Sequence, residues 1–63
     1  MRLHLYKVMG GYVVEDDQYR LLANVGGMWG FAESSDVAFV FGSADAAFAM
    51  ARRWDPSASQ ILG

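Results

Sequence analysis

Ser43 to Pro56, reading SADAAFAMARRWDP, is the segment that most limits what this chain can fold into. Serine is a good helix N-cap because its hydroxyl accepts from an amide that otherwise lacks a partner. Asp45 falls in the first turn, where the helix dipole favours negative charge. Arg52 and Arg53 fall in the last, where it favours positive charge. Ala44, Ala47, Phe48, Ala51 and Trp54 recur at helical spacing and make one apolar stripe. Pro56 disfavours helical angles at Asp55 and ends the run. A stripe built mostly of alanine lets the helix lie close on a sheet, with Phe48 and Trp54 as its large contacts.

The residues before the helix supply that sheet. RLHLYKV, residues 2 to 8, alternates in the manner of a strand, and Gly10 and Gly11 permit a bulge or bend before Tyr12, Val13 and Val14 resume it. Glu15, Asp16, Asp17 and Gln18 are turn-forming, so Tyr12–Val14 and Tyr19–Ala23 are expected to pair as an antiparallel hairpin. Glycines 26, 27 and 30 surround Met28 and Trp29, and GGMWG with the following AESSD reads as a loop. Residues 37 to 41, VAFVF, suit a buried strand, or else open as a helical turn capped by Ser35 or Asp36; the strand is taken. The expectation is an α+β domain over residues 1–56: a three-stranded antiparallel meander with one C-terminal helix packed on one face. Residues 57–63 are either a flexible tail or a short edge strand.

With 63 residues and no cysteine, no disulfide is available, and a single histidine, His4, argues against a structural zinc site. Domains this small bury only about 60% of their unfolded surface and commonly need a staple or a partner. Here 54% of residues are hydrophobic and 14% aromatic, more than so small an interior can hide. The surplus points to association, with a foreign protein or with a second copy as a homodimer. Arg2, Lys7, Arg20, Arg52 and Arg53 are too few and too dispersed to track phosphates, so nucleic acid is not expected as a direct partner. No apolar run reaches the length of a membrane span, and the start carries no signal-peptide core, so a cytoplasmic protein is expected.

Reactive chemistry finds little to work with. His4 with Ser34 or Ser35 and a carboxylate could compose a triad only if the fold gathered them, and no nucleophile elbow is present. Glu15, Asp16 and Asp17 lack the spacing of a calcium loop. Gly27 to Gly30 matches a GXXG loop only superficially, because basic neighbours and flanking helices are missing. No enzyme activity, cofactor or metal is therefore expected. Met28, Trp29 and Phe31 are the candidate anchors for a protein partner, with Glu15, Asp16 and Asp17 steering toward basic surface. For Trp29 two outcomes stay open: display at a loop tip, or a fold back onto the core.

Trp29, Ala38, Phe41, Ser43 and Ala47, behind the YVV…Y stretch from Tyr12 to Tyr19, make a recurring pattern. A tryptophan precedes an A-x-x-F step, a Ser or Thr cap and an alanine-bearing helix. This resembles very small phage and mobile-element proteins, among them anti-CRISPR inhibitors, which are similarly short, cysteine-free and mildly acidic. The resemblance implies a phage-encoded, non-enzymatic inhibitor, at work in a bacterial host cell, that blocks a CRISPR effector complex or its nuclease by occupying a surface. A net charge of only −2 implies steric blockade through apolar contact rather than mimicry of DNA.

Overall fold

The computed structural model describes residues 2–59 and 61–62. Four antiparallel strands run as β1 (Leu3–Val8), β2 (Gly11–Asp16), β3 (Leu21–Val25) and β4 (Met28–Ala32). A 3₁₀ turn (Ser35–Val37), the helix α1 (Ala44–Ala51) and a two-residue strand β5 (Ile61–Leu62) follow. The sheet order is β4-β3-β2-β1-β5, with β5 parallel to β1 at Leu5↔Ile61 and Tyr6↔Leu62. The α+β class is as expected, but the antiparallel part has four strands rather than three.

Two misread segments account for the difference. GGMWG is not a loop. Gly26 and Gly27, at φ 60 and 84, form a two-residue hairpin turn that pairs Val25 with Met28, and residues 28–32 continue as β4. VAFVF is not a strand. After the 3₁₀ turn, which Ser34 caps through its Oγ, the chain runs extended and meets the sheet at isolated points, Ala23↔Ala38 and Tyr12↔Phe41.

Those points define a wedge. β2 pairs with β1 along its whole length, from Leu3↔Asp16 to Val8↔Gly11, but with β3 only at Glu15↔Leu21. The expected hairpin between residues 12–14 and 19–23 therefore reduces to its base. Beyond it the facing edges of β2 and β3 splay apart, and the 38–41 segment fills the fork. Phe39 N donates to Leu22 O (3.0 Å), while Tyr12 and Phe41 exchange both backbone bonds (2.9 and 2.8 Å). Gly11 is required at this join: it sits at φ 153, and a Cβ there would overlap the Phe41 carbonyl.

The helix begins as its sequence dictates. Ser43 Oγ accepts from Ala46 N (3.2 Å), and Asp45 occupies the first turn. It ends sooner than expected, with Arg52 as C-cap, so neither arginine lies in the last turn. Arg53 N and Trp54 N turn back to the carbonyls of Met50 and Ala51, tightening the exit. Ala47 and Ala51 are fully buried. They join Leu3, Leu5, Val14, Leu22, Phe41 and Ala58 in the core, which is rimmed by Tyr12, Trp29, Phe31, Phe48, Met50 and Trp54.

Candidate functional site: the open face of the sheet

Strand alternation sorts the sheet into two unlike faces. The register puts Leu3, Leu5, Tyr12, Val14, Asp16, Leu22, Trp29 and Phe31 on the helix side. Tyr6, Val8, Val13, Leu21, Ala23, Val25, Met28 and Ala32 fall on the other, which no helix covers. Val13 and Ala23 are buried among their neighbours, whereas Val25 (64%) and Met28 (77%) stand exposed. Val40, from the wedge, reaches this side beside Gly11. Val8, Val25, Met28 and Val40 are thus exposed on this face, and His4 and Glu15 stand on it as well.

The expected anchors are split by that alternation. Met28 lies exposed on the open face. Trp29 and Phe31 turn to the helix side and are half-buried. Trp29 stacks on Phe41 (centroids 6.0 Å) and meets Phe39 edge-on (5.0 Å), while Phe31 meets Trp54 edge-on (5.7 Å). Trp29 thus folds back onto the core. A strand cannot present residues 28, 29 and 31 together.

The acidic trio divides too. Asp16, expected in an exposed turn, is 1% exposed because its register opposite Leu3 aims it at the helix side. Its carboxylate accepts from Gln18 N (3.0 Å), Arg20 N (2.8 Å) and Arg20 Nε (2.8 Å), closing the β2–β3 turn. Burial alone would raise its pKa. The Arg20 and Gln18 amides and the Arg20 guanidinium outweigh that and hold it below the ordinary carboxylate value. Asp17 is exposed at the turn, and Glu15 is half-buried on the open face. Glu15 raises the pKa of the Tyr6 hydroxyl, first by accepting from it and then, after burial, by its charge.

One candidate was missed by sequence reasoning. Tyr19 is 81% exposed and holds φ 63, a left-handed conformation uncommon for a bulky residue. It lies near enough to Tyr6 to influence that hydroxyl. Its signal, an aromatic in a polar turn, reads in sequence as the start of the next strand.

Elsewhere, a groove of about 590 Å³ is lined by Arg2, His4, Asp55, Ser57 and Ser59, among others. Asp55 is committed there. It accepts from Leu3 N (2.9 Å), Ser57 N (3.2 Å) and Ser57 Oγ (2.7 Å), so it clamps β1 to the exit of α1. These bonds, with the Leu3 amide foremost, lower its pKa. His4 lies on β1, whereas Ser34 and Ser35 follow β4, and β2 and β3 stand between those two strands. Among the described residues no cluster of three potential metal ligands forms, and no helix is long and apolar enough to cross a membrane.

Comparison with protein-family models, curated proteins and solved structures finds no match to this chain.

Proposed function

We propose that this chain is a small non-enzymatic protein-binding module that docks its partner on the open face of the sheet. One observation carries the reading: α1 covers one side of the sheet, and on the other Val8, Val40, Val25 and Met28 stand exposed. A patch of that kind marks an interaction site. Tyr19 and Met28 are the protruding contacts, and Glu15 and Asp17 give the rim an acidic side that suits a basic partner surface. The resemblance to anti-CRISPR inhibitors supplies the partner class, a CRISPR effector complex or its nuclease, blocked by occupancy of its surface.

Mixing the purified chain with candidate effectors tests this. The expected result is co-elution and loss of target-DNA binding, both abolished by Val25→Lys with Met28→Lys. Wild-type protein that neither co-elutes nor reduces DNA binding counts against the effector as partner. Capture that is indifferent to the two lysines counts against the open face.

A second reading, a homo-oligomer, is favoured by a different feature. Among the described residues, nothing pairs with the outer edge of β4.

A further inference from the structure

From that edge we infer that two copies of the chain join β4 to β4 in antiparallel fashion about a two-fold axis at Gly30, making one continuous sheet. This deepens the homo-oligomer reading and is independent of what binds the open face.

The hydrogen-bond phase of the edge can be read from the register. In an antiparallel ladder, residues alternate between those bonded to the facing strand and those whose N–H and C=O point away. The two-residue turn makes Val25↔Met28 a bonded pair, so Ala23↔Gly30 and Leu21↔Ala32 are bonded as well. Leu22↔Phe31 and Asn24↔Trp29 are then the non-bonded pairs. The Leu22 carbonyl confirms the phase, since it points to the far edge of β3 and accepts from Phe39 N. On β4 the outward groups are therefore the N–H and C=O of Trp29 and Phe31.

These groups are self-complementary. An axis at Gly30 sets Trp29 opposite Phe31 of the second copy, and the pair exchanges both backbone bonds on each side of the axis. The side chains agree with the backbone. Aromatic meets aromatic on the helix side, a favourable cross-strand pair. On the open side Met28 meets Ala32, and at the centre Gly30 meets Gly30. No charged residue or proline lies within Met28–Ala32, so β4 lacks two of the devices that keep edges apart. Glu33 falls opposite Gly27 of the other copy, and the two glutamates stay well separated. Moving the axis to residue 29 or 31 draws on Gly27 or Glu33, which lie outside the strand.

Area sets the strength. A five-residue edge buries less than the roughly 1,000 Å² of a stable interface, so the dimer is transient and depends on concentration.

Amide hydrogen exchange and sedimentation, from about 10 μM to about 1 mM, test the assignment. Trp29 and Phe31 amides are expected to exchange fast in dilute protein and to slow with concentration, while Ala23 and Leu21 do not change. Gly30→Lys puts like charges face to face at the axis, and a Cβ at Gly30 meets nothing within 4 Å, so the monomer tolerates it. This variant is expected to stay monomeric, as is Gly30→Glu, and an equimolar mixture of the two is expected to associate again. Val8→Lys, on β1 at the other side of the sheet, is expected to associate like wild type while weakening capture of the foreign partner. Wild type that remains monomeric throughout overturns the inference, as do Trp29 and Phe31 amides indifferent to concentration. So does a charge-swapped mixture that stays apart.

Discussion

Asp16 shows how little residue type says about role. Three acids in a row look equivalent, yet the pairing Leu3↔Asp16 buries the middle one and gives it three donors. Its folded-state pKa lies below the unfolded value, so its contribution to stability is complete above the unfolded value and is lost as pH falls through the folded one. The melting temperature is expected to drop below about pH 4. Asp16→Asn should melt lower at neutral pH and lose less on acidification, retaining the share that Asp55 contributes in the same direction. A melting curve at each pH checks it; parallel pH profiles for the two proteins would refute it. Gly11 makes a second prediction at this scale. Gly11→Ala combines positive φ with overlap of the Phe41 carbonyl and should cost about 2–4 kcal/mol. Gly10→Ala, at φ 92 with open space around it, should cost about 1–2 kcal/mol. Denaturant midpoints of the pair separate steric overlap from strain alone.

At the scale of elements, local signals were legible and tertiary ones were not. The helix could be read because a serine cap, an alanine stripe and a proline all act within a few residues of themselves. β1 could be read from its alternation. β4 was hidden because Gly26 and Gly27, read as flexibility, are a turn that demands left-handed backbone, and Gly30 weakens the strand signal of its neighbours. The VAFVF segment was misread for the opposite reason. Its residues favour a strand, but both edges it reaches, on β2 and β3, accept it only at isolated points. Face assignment failed with β4. Met28 is exposed, as expected, while Trp29 and Phe31 could be sent to the core only once the register was known. The close seat of α1 gives a prediction here. Ala47 is fully buried, so Ala47→Leu should destabilise by about 1–3 kcal/mol through overpacking, and Ala46→Leu, on the exposed side, should be near neutral. Urea unfolding of both variants checks the helix orientation.

The whole molecule is a sheet half covered. Its polar groups are settled, since no buried side-chain nitrogen or oxygen among the described residues lacks a partner. Its apolar groups are not, and Val8, Tyr19, Val25, Met28, Val37, Phe39 and Val40 all remain exposed. Part of the hydrophobic excess visible in the composition is thus located on the side away from α1, where Val8, Val25, Met28 and Val40 stand. Stability and association should separate accordingly. Val25→Lys with Met28→Lys is expected to change folding free energy by no more than about 0.5 kcal/mol per site, because neither side chain supports the core. A large loss of melting temperature in that variant would mean that the open face belongs to the fold itself.

The segment seated in the fork of β2 and β3 has a consequence for how the sheet assembles. Each hairpin closes over a few residues, but the two share only the pair Glu15↔Leu21. Their mutual tilt is set when Phe41, distant along the chain, returns to Tyr12. Non-local closures of this kind are the slow ones. The fork of β2 and β3 is therefore closed by residues that belong to no strand, and the angle between the two hairpins depends on a contact that is distant along the chain.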